Sequence, residues 1–177
     1  MTANAGFPRL ETERLILRGP LESDYPAVAA FMASPRATFV GGPVNDEFAT
    51  WRAFLAVIGH WSLRGYGFFT LEHRESGAIV GRAGIVNHIM WPEPELGWHL
   101  FDGFEGQGYA YEAAVEIRQW ADKSLGLGPL ISLIVPENER SVRLAERLGA
   151  TAESEIELMG ATGVVYRHPN LSAESAA

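Results

Sequence analysis

Apolar positions along the chain change period several times, and the changes mark its elements. Thr12–Arg18 is a short β-rich run closed by Gly19-Pro20, after which Glu22-Ser23-Asp24 offers a helix start for Tyr25–Met32. Beyond Asp46-Glu47, the residues Phe48, Trp51, Phe54, Leu55 and Ile58 recur at helical spacing and stop before Gly65. A hairpin is predicted next: strand Gly67–Glu72, turn Glu75-Ser76-Gly77, strand Ile79–Val86, with Gly81 and Gly84 where packing must be close. In Glu95–Phe101, alternation puts Leu96, Trp98 and Leu100 on one face and Glu95, His99 and Phe101 on the other.

The second half reads as helix, strand, helix and two strands. Tyr109–Lys123 carries a narrow stripe of Ala110, Ala113, Ala114, Ile117 and Ala121, small enough to let a helix sit close to a sheet. Leu130–Val135 is a nearly continuous apolar run of the kind buried between layers. Asn138 opens a helix that runs to Leu148 and stops at Gly149. Strands near Glu153–Leu158 and Val164–His168 complete an α/β plan with strands and helices interleaved.

With 177 residues, 47% of them hydrophobic, the chain can bury one sizeable core, so a single domain over 1–177 is expected, ordered from about 8 to 170. Its loose ends are the first residues and the tail Ser172–Ala177. The start, Met1–Gly6, lacks the basic and apolar segments of a secretory leader, and no apolar run is long enough to span a bilayer; a soluble, cytoplasmic protein is expected. A formal charge of −8 without a basic tract argues against nucleic acid or anionic membranes as partners. The absence of cysteine excludes disulfides and thiolate nucleophiles, and the five histidines have no metal-ligand spacing, so no metal is expected.

Candidate chemistry concentrates in Gly103-Phe104-Glu105-Gly106-Gln107-Gly108-Tyr109-Ala110, between a strand and a helix. Glycines let the backbone curl until successive N–H groups point at one spot, and the helix start adds its positive end, which suits a phosphate. The glycine spacing is not that of a dinucleotide-binding turn, and the lysine and hydroxyl of a P-loop are missing. A tight turn without a ligand explains the segment equally well when it is taken alone.

Several signals in register extend that picture. Glu95-Leu96-Gly97-Trp98, the turn Gly106–Ala110 followed by Glu112-Ala113, and Asn138-Glu139-Arg140-Ser141 with Leu148-Gly149-Ala150 resemble the GNAT superfamily of N-acetyltransferases. The opening Thr12-Glu13-Arg14-Leu15 and Gly108-Tyr109-Ala110-Tyr111-Glu112-Ala113 resemble its ribosomal-protein branch, and the likeness runs from about Thr12 to His168. It implies a mixed, mostly antiparallel central sheet with helices on both faces and a splayed central strand pair. It also implies acetyl-CoA as co-substrate, with its pyrophosphate on the amides of Gly106, Gln107, Gly108, Tyr109 and Ala110. The pantetheine arm would lie along Leu100 and Phe101 and touch Asn138.

The same resemblance gives Glu95 the position of a general base and sets Ser141 beside the thioester sulfur, with Glu93 and His88 as alternative bases and His99 on the same face as Glu95. Solvated carboxylates and an ordinary Asn N-cap remain the plain readings of these positions. Arg140, Arg143 and Arg147 fall on one helix face and could reach the ribose phosphate, although Glu139 and Arg143 already make a stabilising helical pair. Two departures from the family stand out: Glu105 puts a negative charge beside the phosphate turn, and Ala145 replaces a tyrosine acid. The expected reaction is direct attack of a primary amine, on a protein N-terminus or a small molecule, within a ternary complex of a monomer or homodimer. The rival is a non-catalytic acyl-CoA-binding module.

Overall fold

A computed structural model describes residues 6–158 and 160–171. The expected loose ends at 1–5 and 172–177 lie outside the described residues. The strands are β1 (Leu10–Glu11), β2 (Leu15–Arg18), β3 (Phe68–His73), β4 (Ile79–Val86), β5 (Glu95–Leu100), β6 (Ile131–Ile134), β7 (Thr151–Leu158) and β8 (Ala161–Arg167). The helices are α1 (Tyr25–Ala33), α2 (Glu47–Arg64), α3 (Tyr109–Trp120) and α4 (Glu139–Arg147). One sheet of order β1-β2-β3-β4-β5-β6-β8-β7 holds all the described strands. Every neighbouring pair is antiparallel except β5 with β6.

Local sequence explains most boundaries. Asp46 caps α2 by accepting from the Ala49 amide at 2.9 Å, and Gly65 ends it in the left-handed conformation. The hairpin turn falls where predicted, with the Gly77 amide donating to the His73 carbonyl. Gly84 could carry no side chain, because a Cβ there would lie 2.1 Å from the Gly67 carbonyl oxygen and 2.4 Å from Phe68 Cα. The first predicted strand is divided in two, since Thr12 turns back to bond Leu15 and separates β1 from β2. The helix expected to reach Lys123 ends at Trp120, and Ala121–Leu125 continue as one wider π turn. Pro35–Val40, read as no element, forms a 3₁₀ segment after α1.

Two faces of the sheet are covered differently. Leu15, Leu17, Phe69, Leu71, Ala83, Ile85 and Leu96 build the main core with the predicted α3 stripe, of which Ala113, Ala114, Ile117 and Ala121 are fully buried. On the other face α1 and α2 pack together and enclose Val28, Phe31, Ala37, Phe54 and Phe101. Beneath them, Arg18, Thr70, Arg82 and His99 stand in one row, because the ladders pair Arg18 with Thr70, Thr70 with Arg82 and Arg82 with His99. Asp24 closes one end, accepting two bonds from Arg18 and one from Thr70. No helix among the described residues is long and apolar enough to cross a membrane.

Candidate active site

The central feature is the parallel junction of β5 and β6. Their ladder is a single pair, Glu95 with Ile131, anchored by the Ile131 amide on the Pro94 carbonyl. Beyond it the strands diverge, and a cleft of about 1150 Å³ opens along Trp98, His99 and Leu100 toward the start of α4. The predicted splayed pair is therefore present. By strand alternation the main-chain groups of Leu96, Trp98 and Leu100 turn toward β6, while Phe101 turns the other way and donates its amide to Val80. Leu100 thus faces the opening as expected, and Trp98, which was not singled out for this, faces it as well. The Phe101 ring is buried in the second core cluster.

The glycine turn forms the floor of one end of the cleft. Gly106, Gly108 and Ala110 line it, with Asn138 and Ser141 opposite. Gly106 and Gly108 have φ of +73° and +85°, values that side chains strongly disfavour. The first bond of α3 is Glu112 N–H to the Gly108 carbonyl. No protein acceptor takes the amides of Gly106, Gly108, Tyr109 or Ala110 among the hydrogen bonds of the described residues. Those of Gly108, Tyr109 and Ala110 are orphan donors of a helix N-terminus, and that of Gly106 belongs to the turn before it. Gln107 lies on the outer side of the turn, its side-chain amide donating to the Gly103 carbonyl, and the Tyr109 ring is buried under the Arg14 guanidinium at 4.7 Å.

Arg14 is the residue that sequence reading missed here. Its guanidinium donates to the Gln107 carbonyl at 2.9 Å and to Glu112 Oε2 at 2.7 Å. A trans peptide points its N–H opposite its C=O, so holding the Gln107 carbonyl turns the Gly108 amide the other way. Glu112 is itself fixed by the Thr12 hydroxyl and the Arg14 amide. Burial alone would raise the Glu112 carboxyl; the Thr12 and Arg14 bonds outweigh it and hold the carboxyl below its ordinary range. Thr12-Glu13-Arg14 and Tyr111-Glu112 are thus two ends of one clamp.

The charge beside the turn is neutralised. Glu105 pairs closely with Arg36 and lies 3.9 Å from Arg140. Arg36, on the 3₁₀ segment, also donates to the Leu100 carbonyl at 3.0 Å. Arg140, Arg143 and Arg147 all line the cleft, although Arg143 pairs with Glu139 at 3.1 Å and Arg147 lies over the Tyr111 ring at 4.2 Å. Asn138 caps α4, its Oδ1 accepting from the Ser141 amide at 3.4 Å, so the plain reading of Asn138 holds while it also borders the cleft. Ala145 is fully buried beside Ile134 and Tyr166 and carries no group that could donate a proton.

Glu95 sits at the apex of the splay. Trp91 Nε1 donates to its Oε2 and the Leu133 amide to its Oε1 at 3.2 Å. Burial pushes its carboxyl up to about 7, against the lowering effect of these two bonds. The alternative bases are differently placed. Glu93 is held below its ordinary range by a two-point pair with Arg167. His88 is pushed down by burial and by the nearby His60 and Arg64. His99 is stacked on Phe31 at 4.9 Å and driven down to about 3, by burial first and Arg82 second, so it is a neutral wall of the cleft.

Comparison with known proteins agrees with this fold. The GNAT acetyltransferase domain matches residues 14–151. The [ribosomal protein uS5]-alanine N-acetyltransferase of Escherichia coli is 27% identical over 159 residues, 85% of this chain and 82% of its own length. The N-acetyltransferase YoaA of Bacillus subtilis is 26% identical over 155 residues, 83% and 85% of the two chains. An acetyltransferase structure from Agrobacterium tumefaciens superposes with a TM-score of 0.85 at 40% identity, covering 96% of this chain and 99% of that one. The microcin C7 self-immunity acetyltransferase MccE, solved with acetyl-CoA and AMP, shares the fold with a TM-score of 0.74 at 15% identity, over 90% and 94% of the chains.

Proposed function

Since the chain belongs to the GNAT acetyltransferase family and is an acyltransferase, we propose that it moves an acetyl group from acetyl-CoA to a primary amine by direct attack. The observation that carries this is the set of unpaired amides at Gly106, Gly108, Tyr109 and Ala110, opening on the cleft where β5 leaves β6. A diphosphate satisfies those donors and gains from the dipole of α3. The pantetheine arm then runs along the outward main-chain groups of Trp98 and Leu100, as an added strand would. Asn138 and Ser141 border it from the side of α4.

Glu95 takes the proton from the acceptor ammonium, directly or through water. A carboxylate has capacity beyond the two bonds that Trp91 and Leu133 already donate to it. The freed amine attacks the thioester carbonyl, a tetrahedral oxyanion with a protonated nitrogen forms, and as the C–S bond breaks that nitrogen gives up its extra proton to the departing sulfur, leaving amide and free thiol. The Ser141 hydroxyl, which makes no hydrogen bond among the described residues and borders the cleft, is the donor assigned to that sulfur. Its help is modest, because a thiol with a pKa of about 8.5 leaves readily. Orientation of amine and thioester supplies most of the acceleration, and no acyl-enzyme forms.

Calorimetric titration with coenzyme A and a thiol-release assay with acetyl-CoA test this together. The amines to try are a peptide beginning with alanine, after the acceptor named for the Escherichia coli relative, and small polyamines and amino acids. Binding of coenzyme A with amine-dependent thiol release is expected. Absence of any thermal stabilisation by coenzyme A defeats the proposal at its base.

A further inference from the structure

A parallel ladder that has bonded Ile131 N–H to the Pro94 carbonyl would, one rung later, bond Leu133 N–H to the Leu96 carbonyl. That rung is missing, yet neither half is left bare. The Leu133 amide donates to the Glu95 carboxylate at 3.2 Å, and the Leu96 carbonyl accepts from the Ser132 hydroxyl at 2.6 Å. Leu96 is fully buried and Ser132 nearly so, so an uncapped carbonyl there would have no water to turn to. The two side chains come from opposite strands and take the places of the groups that would otherwise close the gap.

Behind Ser132 stands His168, at the end of β8, with its Nε2 at 2.9 Å from the same hydroxyl. Ser132 spends its one proton on Leu96, so it accepts from His168, which places the ring proton on Nε2. His168 is buried and driven down to about 4, by burial first and Arg118 second, so it stays neutral and keeps that tautomer across the physiological range. Its own amide is tied to the Leu130 carbonyl, which fixes the ring relative to β6.

We propose that Glu95 and Ser132 are a reciprocal pair of side-chain caps that hold the β5–β6 ladder open, with His168 as the positioning residue that aims the Ser132 hydroxyl. The cleft is thereby preformed before any donor arrives. Glu95 has a second duty besides the one assigned above, and Ser132 and His168 acquire a function that neither motif nor pocket lining reveals. The link to catalysis rests on the cleft being the acyl-donor site; the capping does not.

Backbone NMR and coenzyme A titration separate the two. In the wild type the Leu133 amide proton shift follows the ionisation of Glu95 with a midpoint near neutral pH, and in Glu95→Gln it is flat. Ser132→Ala weakens coenzyme A by about tenfold, the effect of losing one buried hydrogen bond, while Ser132→Thr, which keeps the hydroxyl, stays within about threefold of wild type. In Glu95→Leu with Ser132→Ala the rung closes, so the Leu133 amide gains protection from exchange as coenzyme A binding drops further. A Leu133 shift indifferent to pH, or equal coenzyme A affinity in the Ala and Thr variants, overturns the proposal, and these two readouts decide it even when the double variant does not fold. Failure of the wild type to bind coenzyme A defeats the donor-site reading alone, since the Leu133 shift and exchange still report on the caps.

Discussion

Glu93 and Glu95 lie two residues apart and have opposite fates, which shows how little a carboxylate's neighbours in sequence say about its chemistry. Glu93 meets Arg167 and is held below its ordinary range; Glu95 loses water, gains only two neutral donors and is pushed up to about 7. A base poised there matches the working range of a proton acceptor. The acyl-transfer rate should therefore rise with an apparent pKa near 7, and Glu95→Gln should lower it by about 10²- to 10⁴-fold while leaving coenzyme A binding nearly intact. A pH–rate profile of both proteins checks this; an unchanged rate in the variant removes Glu95 from the chemistry. Stability carries the same signature with a definite sign. The folded carboxyl binds its proton more tightly than the unfolded one, so its contribution is complete below pH 4.5 and is lost as pH rises through 7, at most about 3 kcal/mol. Thermal melts from pH 5 to 8 should show wild type declining relative to Glu95→Gln.

At the scale of elements, the glycine turn before α3 is held in shape by residues outside it. Arg14 reaches the Gln107 carbonyl while Glu112 holds its guanidinium and the Thr12 hydroxyl holds Glu112, so the residues before β2 and the first turn of α3 share one set of bonds. Arg14→Ala should weaken coenzyme A by about tenfold in calorimetry, with the melting temperature falling less than for a core substitution, because Arg14 is partly exposed. Equal affinities would mean that Gly106 and Gly108 keep their conformation unaided. The turn is legible as a tight strand-to-helix connection, because its glycines permit the positive φ it needs; so are α2, the β3–β4 hairpin and the α3 stripe, each written in a local period. What escaped reading was contact across distance: Arg14 with Glu112, Arg36 with Glu105, Ser132 with Leu96. Glu105 illustrates the limit, because its need for a countercharge could be foreseen from its place beside the turn, but not that Arg36 on an unread 3₁₀ segment supplies it.

For the whole molecule the question is which field a polyanionic donor meets. The net charge of −8 repels it, yet 13 of the 14 basic residues are arginines, and four of them, Arg36, Arg140, Arg143 and Arg147, line the cleft against three glutamates, Glu105, Glu137 and Glu139, so the lining is one positive charge in excess where the molecule as a whole is acidic. At 0.1 M salt the Debye length is about 10 Å, so charges on the far side of the sheet are already screened while the cleft arginines are not. Affinity for coenzyme A should accordingly fall as salt rises, the reverse of what net charge alone dictates. Arg140 and Arg143 are largely exposed and each contributes little, so single substitutions should be nearly silent and the combined change of Arg140, Arg143 and Arg147 to glutamine should cost about tenfold and flatten the salt dependence. A cationic acceptor feels the other side of the balance: it is drawn by the acidic surface as a whole, so its kcat/KM should also drop with salt, through a slower encounter instead of a weaker cofactor complex. Measuring both against ionic strength at saturating coenzyme A separates them, and an affinity for coenzyme A that climbs with salt would show that the global field, not the arginine-lined cleft, governs donor capture.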